Sequence, residues 1–110
     1  MLFKEIVADI ADLERPLKRI SLEGDVKAEI ELPIALLNIN LNKNNKLIIN
    51  IDKNKEEDYK NKYDIYMWGI LYNKSNNLVY ISIGGLIFKI YSDLPFNIGD
   101  KLYIGIKLTS

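Results

Sequence analysis

Apolar and polar residues alternate with a period of two along most of this chain, and that period predicts strands. Val26, Ala28, Ile30 and Leu32 alternate with Lys27, Glu29 and Glu31, which gives a strand with one apolar face and one charged face in water. Leu37, Ile39 and Leu41 alternate with Asn38 and Asn40 and predict another strand, separated from the first by a bend, bulge or edge position at Pro33. Leu102, Ile104, Ile106 and Leu108 alternate with Tyr103, Gly105 and Lys107 in the same way. Between them, Leu47–Asp52, Tyr63–Tyr72, Leu78–Ile83 and Leu86–Tyr91 are rich in β-branched and aromatic residues and also read as strands. The separators Asn42–Lys46, Asn73–Asn77, Gly84-Gly85 and Asp93–Asp100 carry turn chemistry. Many short strands with close turn signals predict an all-β barrel or sandwich. No strand–helix alternation is present, which argues against a parallel α/β sheet, and no internal repeat is apparent.

One segment gives a different signal. Phe3, Ile6, Val7, Ile10 and Leu13 follow the i, i+3, i+4, i+7 spacing of an amphipathic helix, so periodicity alone predicts a helix over 2–14. The run Asp52–Lys62 sets Glu56, Glu57 and Asp58 among lysines and reads as a solvated, mobile loop.

Composition narrows the function classes. A chain of 110 residues, 48% hydrophobic, is expected to form one domain over 1–110, with the charged loop at 52–62 as its main excursion. It can bury a core without disulfides or metals. Cysteine and histidine are both absent, which removes thiol nucleophiles, disulfides, histidine bases and nearly every zinc constellation. Fifteen basic residues balance fifteen acidic ones, and along the chain they are interspersed. That counts against a protein whose main task is gripping phosphates. The longest apolar run, Leu32–Leu37, is far short of the roughly 20 residues that span a bilayer, and Glu5 interrupts any signal-like start. The expectation is a soluble, cytoplasmic protein without membrane contact.

Candidate chemistry is sparse. Asp9 with Asp12, and Glu29 with Glu31, are possible carboxylate pairs, but acid–base work needs a cleft that separates their pKa values. Glu29 and Glu31 fall on the polar face of a predicted strand, where water keeps both ionised. The Glu56–Asp58 cluster lacks the alternating ligands and turn glycine of a calcium loop. Asn73-Lys74-Ser75 matches a glycosylation sequon without a secretory context. Gly84-Gly85 lacks the further glycines and following helix of a phosphate loop and reads as a tight turn, or as a place where a partner's backbone approaches. Tyr63, Tyr66, Trp68, Tyr72, Tyr80, Phe88, Tyr91 and Tyr103 concentrate in the second half, as core, cross-strand or interface residues. No catalytic, cofactor-binding or metal-ligating residue is expected.

Two stretches carry a family likeness. "YDIYMWGILY" at 63–72 and "YISIGGLIFKIYSD" at 80–93 resemble the eighth subunit shared by the eukaryotic nuclear RNA polymerases, together with its archaeal counterpart. Met67, Trp68, Gly69 and Tyr72 match the family's aromatic strand. Tyr80, Ser82, Gly84, Gly85, Leu86 and Asp93 match its Tyr-x-Ser-x-Gly-Gly-Leu element and the following acid, and Lys89 stands where the family has a basic residue. "MLFKEI" at the start, Arg19-Ile20-Ser21, "VKAEIELPI" at 26–34 and "KLYIGIK" at 101–107 are similar to further family segments in the same order. The eukaryotic members' acidic insertion and aromatic tail have no equivalent here, which suits an archaeal member.

The resemblance implies an eight-stranded antiparallel barrel like two fused halves of an oligonucleotide-binding fold, with residues 2–14 mostly strand. That is taken over the helical reading, because tertiary context overrides short-range pattern. It further implies a non-catalytic accessory subunit of DNA-directed RNA polymerase that docks on the largest subunit and stabilises the assembly during transcription, with no cofactor of its own. The expected partner interface is Tyr66, Trp68, Tyr80, Ser82, Gly84, Gly85, Leu86 and Phe88, with main-chain pairing across a sheet edge near Gly84-Gly85. The alternative reading is a single-stranded nucleic-acid-binding module.

Overall fold

A computed structural model describes residues 1–110. Eight strands follow one another: β1 (Leu2–Asp12), β2 (Lys18–Gly24), β3 (Lys27–Leu32), β4 (Lys46–Asp52), β5 (Ile65–Ser75), β6 (Leu78–Ile83), β7 (Leu86–Tyr91) and β8 (Lys101–Leu108). Two single-turn helices, α1 (Ile34–Leu37) and α2 (Tyr59–Lys62), lie in the connections before β4 and β5. All strand pairs are antiparallel and close into a barrel of order β1-β2-β3-β7-β6-β5-β8-β4. The all-β reading and the eight-stranded antiparallel barrel are therefore observed.

Closure follows from alternation. In β8, Leu102, Ile104 and Ile106 point inward while Lys101, Tyr103 and Lys107 point out. In β6, Val79, Ile81 and Ile83 point inward. These join one cluster of 22 buried apolar side chains, enough to hold the fold without a cross-link.

Strand β1 corrects the helical expectation. Phe3, Glu5 and Val7 face inward, then the pairing with β2 shifts register between Val7 and Asp9. This bulge reverses the phase, so that Ile10 opposite Ile20 is the next inward residue. The apolar spacing mimics a helical stripe because the strand changes phase midway.

The strand expected at Leu37–Leu41 is also corrected. Leu37 ends α1, and Asn38 adopts φ 53 in the left-handed region, after which the chain runs without ladder pairing to β4. Leu37, Ile39 and Leu41 pack against the core. Ile39 and Leu41 meet Leu32, Leu47 and Leu108 at one mouth of the barrel. Their alternation is that of an extended plug with one dry side. The missing strand is β2, whose inward residues are Ile20 and Leu22. At the other mouth, buried Leu94 and Phe96 plug the barrel, and the Lys74 Nζ holds that segment by donating to the carbonyls of Leu94 (2.7 Å) and Phe96 (2.8 Å).

The loop expected at 52–62 is more tied down than a free excursion. Glu56 N donates to the Tyr66 hydroxyl at 2.8 Å, and Lys62 pairs with Glu56 at 2.9 Å. The Lys62 hydrogen bond holds the Glu56 carboxyl below its ordinary pKa. No helix is long and apolar enough to cross a membrane.

Candidate interaction face

The outer surface over β8, β5, β6 and β7 gathers most of the aromatics. Along β5 the outward residues are Tyr66, Trp68, Ile70 and Tyr72, while Gly69 and Leu71 face in. Gly69 has no room for a side chain: a Cβ there would lie 2.6 Å from the Ser82 carbonyl oxygen and 2.8 Å from Ile81 Cγ2. The glycine lets β5 and β6 cross closely, which fixes where their outward residues stand.

Two groups of outward residues result. Toward β6 and β7, Ile70 lies opposite Ser82, Ser82 opposite Ile87, and Tyr80 opposite Lys89. A bulge between Leu71 and Asn73 turns Tyr72 toward Tyr80, with ring centroids 5.9 Å apart. Beside them Arg19, Glu29, Glu31, Tyr80, Ile87 and Lys89 line a groove of about 180 Å³. It marks where the β3–β7 ladder stops at Ile30–Phe88, and where the Glu31 carboxylate accepts a hydrogen bond from Ile87 N instead (3.0 Å).

Toward β8 the rings form a ladder. Tyr66 stacks on Tyr59 at 4.9 Å, on Tyr63 at 5.6 Å and on Tyr103 at 6.1 Å, all within 14° of parallel. Tyr63 lies flat over Gly105, where a Cβ would be 2.7 Å from three ring atoms, so the ring fills the place a side chain would take. Its hydroxyl accepts a hydrogen bond from Asn50 Nδ2 at 3.0 Å. Burial pushes the Tyr66 phenol above its ordinary pKa. Trp68 lies opposite Tyr103, is 53% exposed, and carries the Lys101 ammonium 4.4 Å above its ring.

The eight residues expected at an interface therefore separate. Tyr66 and Trp68 belong to the ring ladder, and Tyr80 and Ser82 lie outward on β6. Gly84 and Gly85 form the two-residue turn between β6 and β7, with φ of 56° and 94°, both positive as this hairpin turn requires. Leu86 and Phe88 are corrected: strand alternation turns them inward, Leu86 against the core and Phe88, 1% exposed, within it. Their outward neighbours Ile87 and Lys89 take the surface positions, with Ile70 and Tyr72 on β5. The period-two rule, anchored on buried Ile81 and Ile83, is the signal that assigns them.

Main-chain pairing at a sheet edge is corrected as well. The barrel is closed and every strand has two neighbours, so no edge strand is free; beside Gly84-Gly85 only the short stretch Leu86–Ile87, past the end of the β3–β7 ladder, lacks a strand partner on one side, and Glu31 already accepts from Ile87 N there. Both turn glycines remain open, with nothing within 4 Å of a Cβ at either.

No cluster of three or more His, Cys, Asp or Glu side chains is placed to hold a metal. Of the carboxylate pairs named from sequence, Glu29 and Glu31 line the same open groove, opposite Lys89 and Arg19 respectively, while Asp9 stands opposite Ser21 and Asp12 pairs with Lys18 at 3.4 Å. What the face offers is exposed apolar and aromatic contact area beside charged side chains. No protein-family model matches the chain, and a search of curated proteins finds no significant match.

Proposed function

We propose that this chain is a non-catalytic accessory subunit of a DNA-directed RNA polymerase, docking on the largest subunit to stabilise the assembly. The observation that carries the docking reading is the outward row on β5 through β7, where Ile70, Tyr72, Tyr80 and Ile87 stand together beside a groove of mixed charge. Tyrosines and aliphatic side chains with charged residues at the margin are the composition of a protein interface. The choice of partner rests on the resemblance of 63–72 and 80–93 to the shared small polymerase subunit. With no free edge, docking runs through side chains and the exposed glycine turn.

Affinity purification of the tagged chain from its native cells, with mass spectrometry of what accompanies it, tests the reading. Large polymerase subunits in fixed proportion are expected. Tyr80→Ala with Ile87→Glu should abolish their recovery while the purified variant keeps its β-sheet spectrum, since anchors at an interface centre are each worth about 2 kcal/mol or more. Recovery of unrelated proteins, or equal recovery with the double variant, sinks it.

A further inference from the structure

We infer that residues 92–97 form a lid over one mouth of the barrel, latched by Lys74, and that this lid opens as a unit while the eight strands stay paired.

The latch begins with the bulge in β5. Between Leu71 and Asn73 the pairing with β6 shifts register, and past the shift Lys74 stands opposite Val79. Val79 is fully buried, and opposed residues of a ladder share a face. The bulge therefore sets a lysine on the inner face, at the rim of the barrel. Its ammonium reaches across the mouth, donating to Leu94 O at 2.7 Å and to Phe96 O at 2.8 Å, and lies 3.6 Å from the Asp93 carboxylate. Of the lysines, only Lys74 donates to main-chain carbonyls.

The segment it holds has no ladder of its own. Ser92 to Phe96 make no backbone–backbone hydrogen bond. The chain on either side is fixed: Tyr91 pairs with Lys27, Gly99 N donates to Leu71 O at 2.8 Å, and Leu71 N donates to Asp100 O at 3.0 Å. Gly99, with φ of 95°, supplies the left-handed residue of the turn that ends the lid. Between these posts Leu94 and Phe96 are inserted as plugs, 1% and 7% exposed. Their carbonyls would face the mouth without a donor, and a main-chain oxygen left so is costly. One amine satisfies both. Such a latch differs from a ladder in that it breaks in one step, and segments with few main-chain bonds are the ones that open locally. The plug at the other mouth has no such latch: Ile39 and Leu41 are only half-buried and pack against the rim. Opening turns Leu94, Pro95 and Phe96 out together and uncovers the apolar strand ends beneath, so the barrel offers a partner an apolar anchor that the closed form hides. The lid needs only the barrel, and it stands whether or not the chain belongs to a polymerase.

The chain has no cysteine, so a single introduced thiol reports its own exposure. Leu94→Cys is made in the full chain, with and without Lys74→Met, and its alkylation by iodoacetamide is followed by mass spectrometry from 0 to about 1 M urea, well below the unfolding midpoint. A lid that opens locally exposes little new surface, so the rate should stay nearly flat with urea. Lys74→Met keeps the stem and removes the donors, and should raise the rate about tenfold or more. Should Leu94→Cys not fold, Phe96→Cys carries the same two arms. A rate that climbs about tenfold per molar urea, in step with the unfolding curve of the same variant, overturns the lid, because the thiol is then reached only when the strands part. A rate that Lys74→Met leaves unchanged overturns the latch.

Discussion

Glu5 is the one carboxylate turned into the barrel wall, and replacing it with glutamine should change how stability depends on pH. It is 2% exposed. Oε1 accepts a hydrogen bond from Val26 N at 3.0 Å, and Oε2 is buried without a partner. Burial is the main cause that pushes the pKa up from 4.5 to about 6. The Val26 hydrogen bond opposes the shift and the nearby Asp25 charge adds to it. Because Glu5 holds its proton more tightly in the folded chain than in the unfolded one, the folded state carries the extra proton between pH 4.5 and 6. Stability from this group is therefore full below pH 4.5, falls as pH rises through 6, and is flat above. At 1.36 kcal/mol per pKa unit, the loss is about 2 kcal/mol, or a drop in Tm of roughly 8 °C or more for a domain of this size. Glu5→Gln cannot ionise and keeps an oxygen for Val26. Urea unfolding of both proteins from pH 4 to 8 isolates the group, since every other titration is common to the two. The glutamine variant should gain about 2 kcal/mol on the wild type between pH 4.5 and 7. A difference that stays constant with pH, or one that moves the other way, refutes the argument that burial raises this pKa.

Three further substitutions probe the frame of the candidate face. Gly69→Ala puts a methyl group against the Ser82 carbonyl and Ile81; a loss of about 1–3 kcal/mol is expected from overpacking, read by chemical denaturation. Gly105→Ala should lift the Tyr63 ring from the sheet and break its bond to Asn50. The Tyr63 ring resonances should then move in the NMR spectrum, while Tyr63→Ala combined with it costs little more than either alone. Tyr66→Phe removes the acceptor for Glu56 N with the ring stack intact, so the Glu56 amide should exchange with solvent about tenfold faster or more, against a loss of roughly 1.5 kcal/mol for a hydrogen bond.

Most of the architecture was legible because the inward residues obey period two. Val26–Leu32, Leu78–Ile83 and Leu102–Leu108 appear as predicted, to within a residue or two. What misled was phase. The bulge after Val7 makes β1 imitate a helix, and Glu5 occupies an inward position where an apolar residue is expected. Leu37, Ile39 and Leu41 alternate because one side of an extended plug is dry, and no pattern distinguishes that from a ladder strand. On the candidate face, nearness to Gly84-Gly85 suggests a surface place for Leu86 and Phe88, although alternation from Ile83 across a two-residue turn puts them inside. The nearness of Lys4, Lys46 and Lys107 was invisible in sequence because only the β1–β4 and β4–β8 pairings bring them together.

The barrel's strand order contains a duplication that the residues do not display. Strands β1 to β4 run β3-β2-β1-β4 across the sheet, and β5 to β8 run β7-β6-β5-β8. Each set is a three-stranded meander whose first strand also pairs with its fourth. The first strand of each is 11 residues long and interrupted by a bulge, and each third-to-fourth connection supplies one plug. The two sets meet at the β3–β7 and β4–β8 seams. The layout is that of two four-stranded units related by an approximate two-fold axis and linked by residues 53–64, with the β3–β7 and β4–β8 seams standing where the contacts of a two-fold dimer would lie.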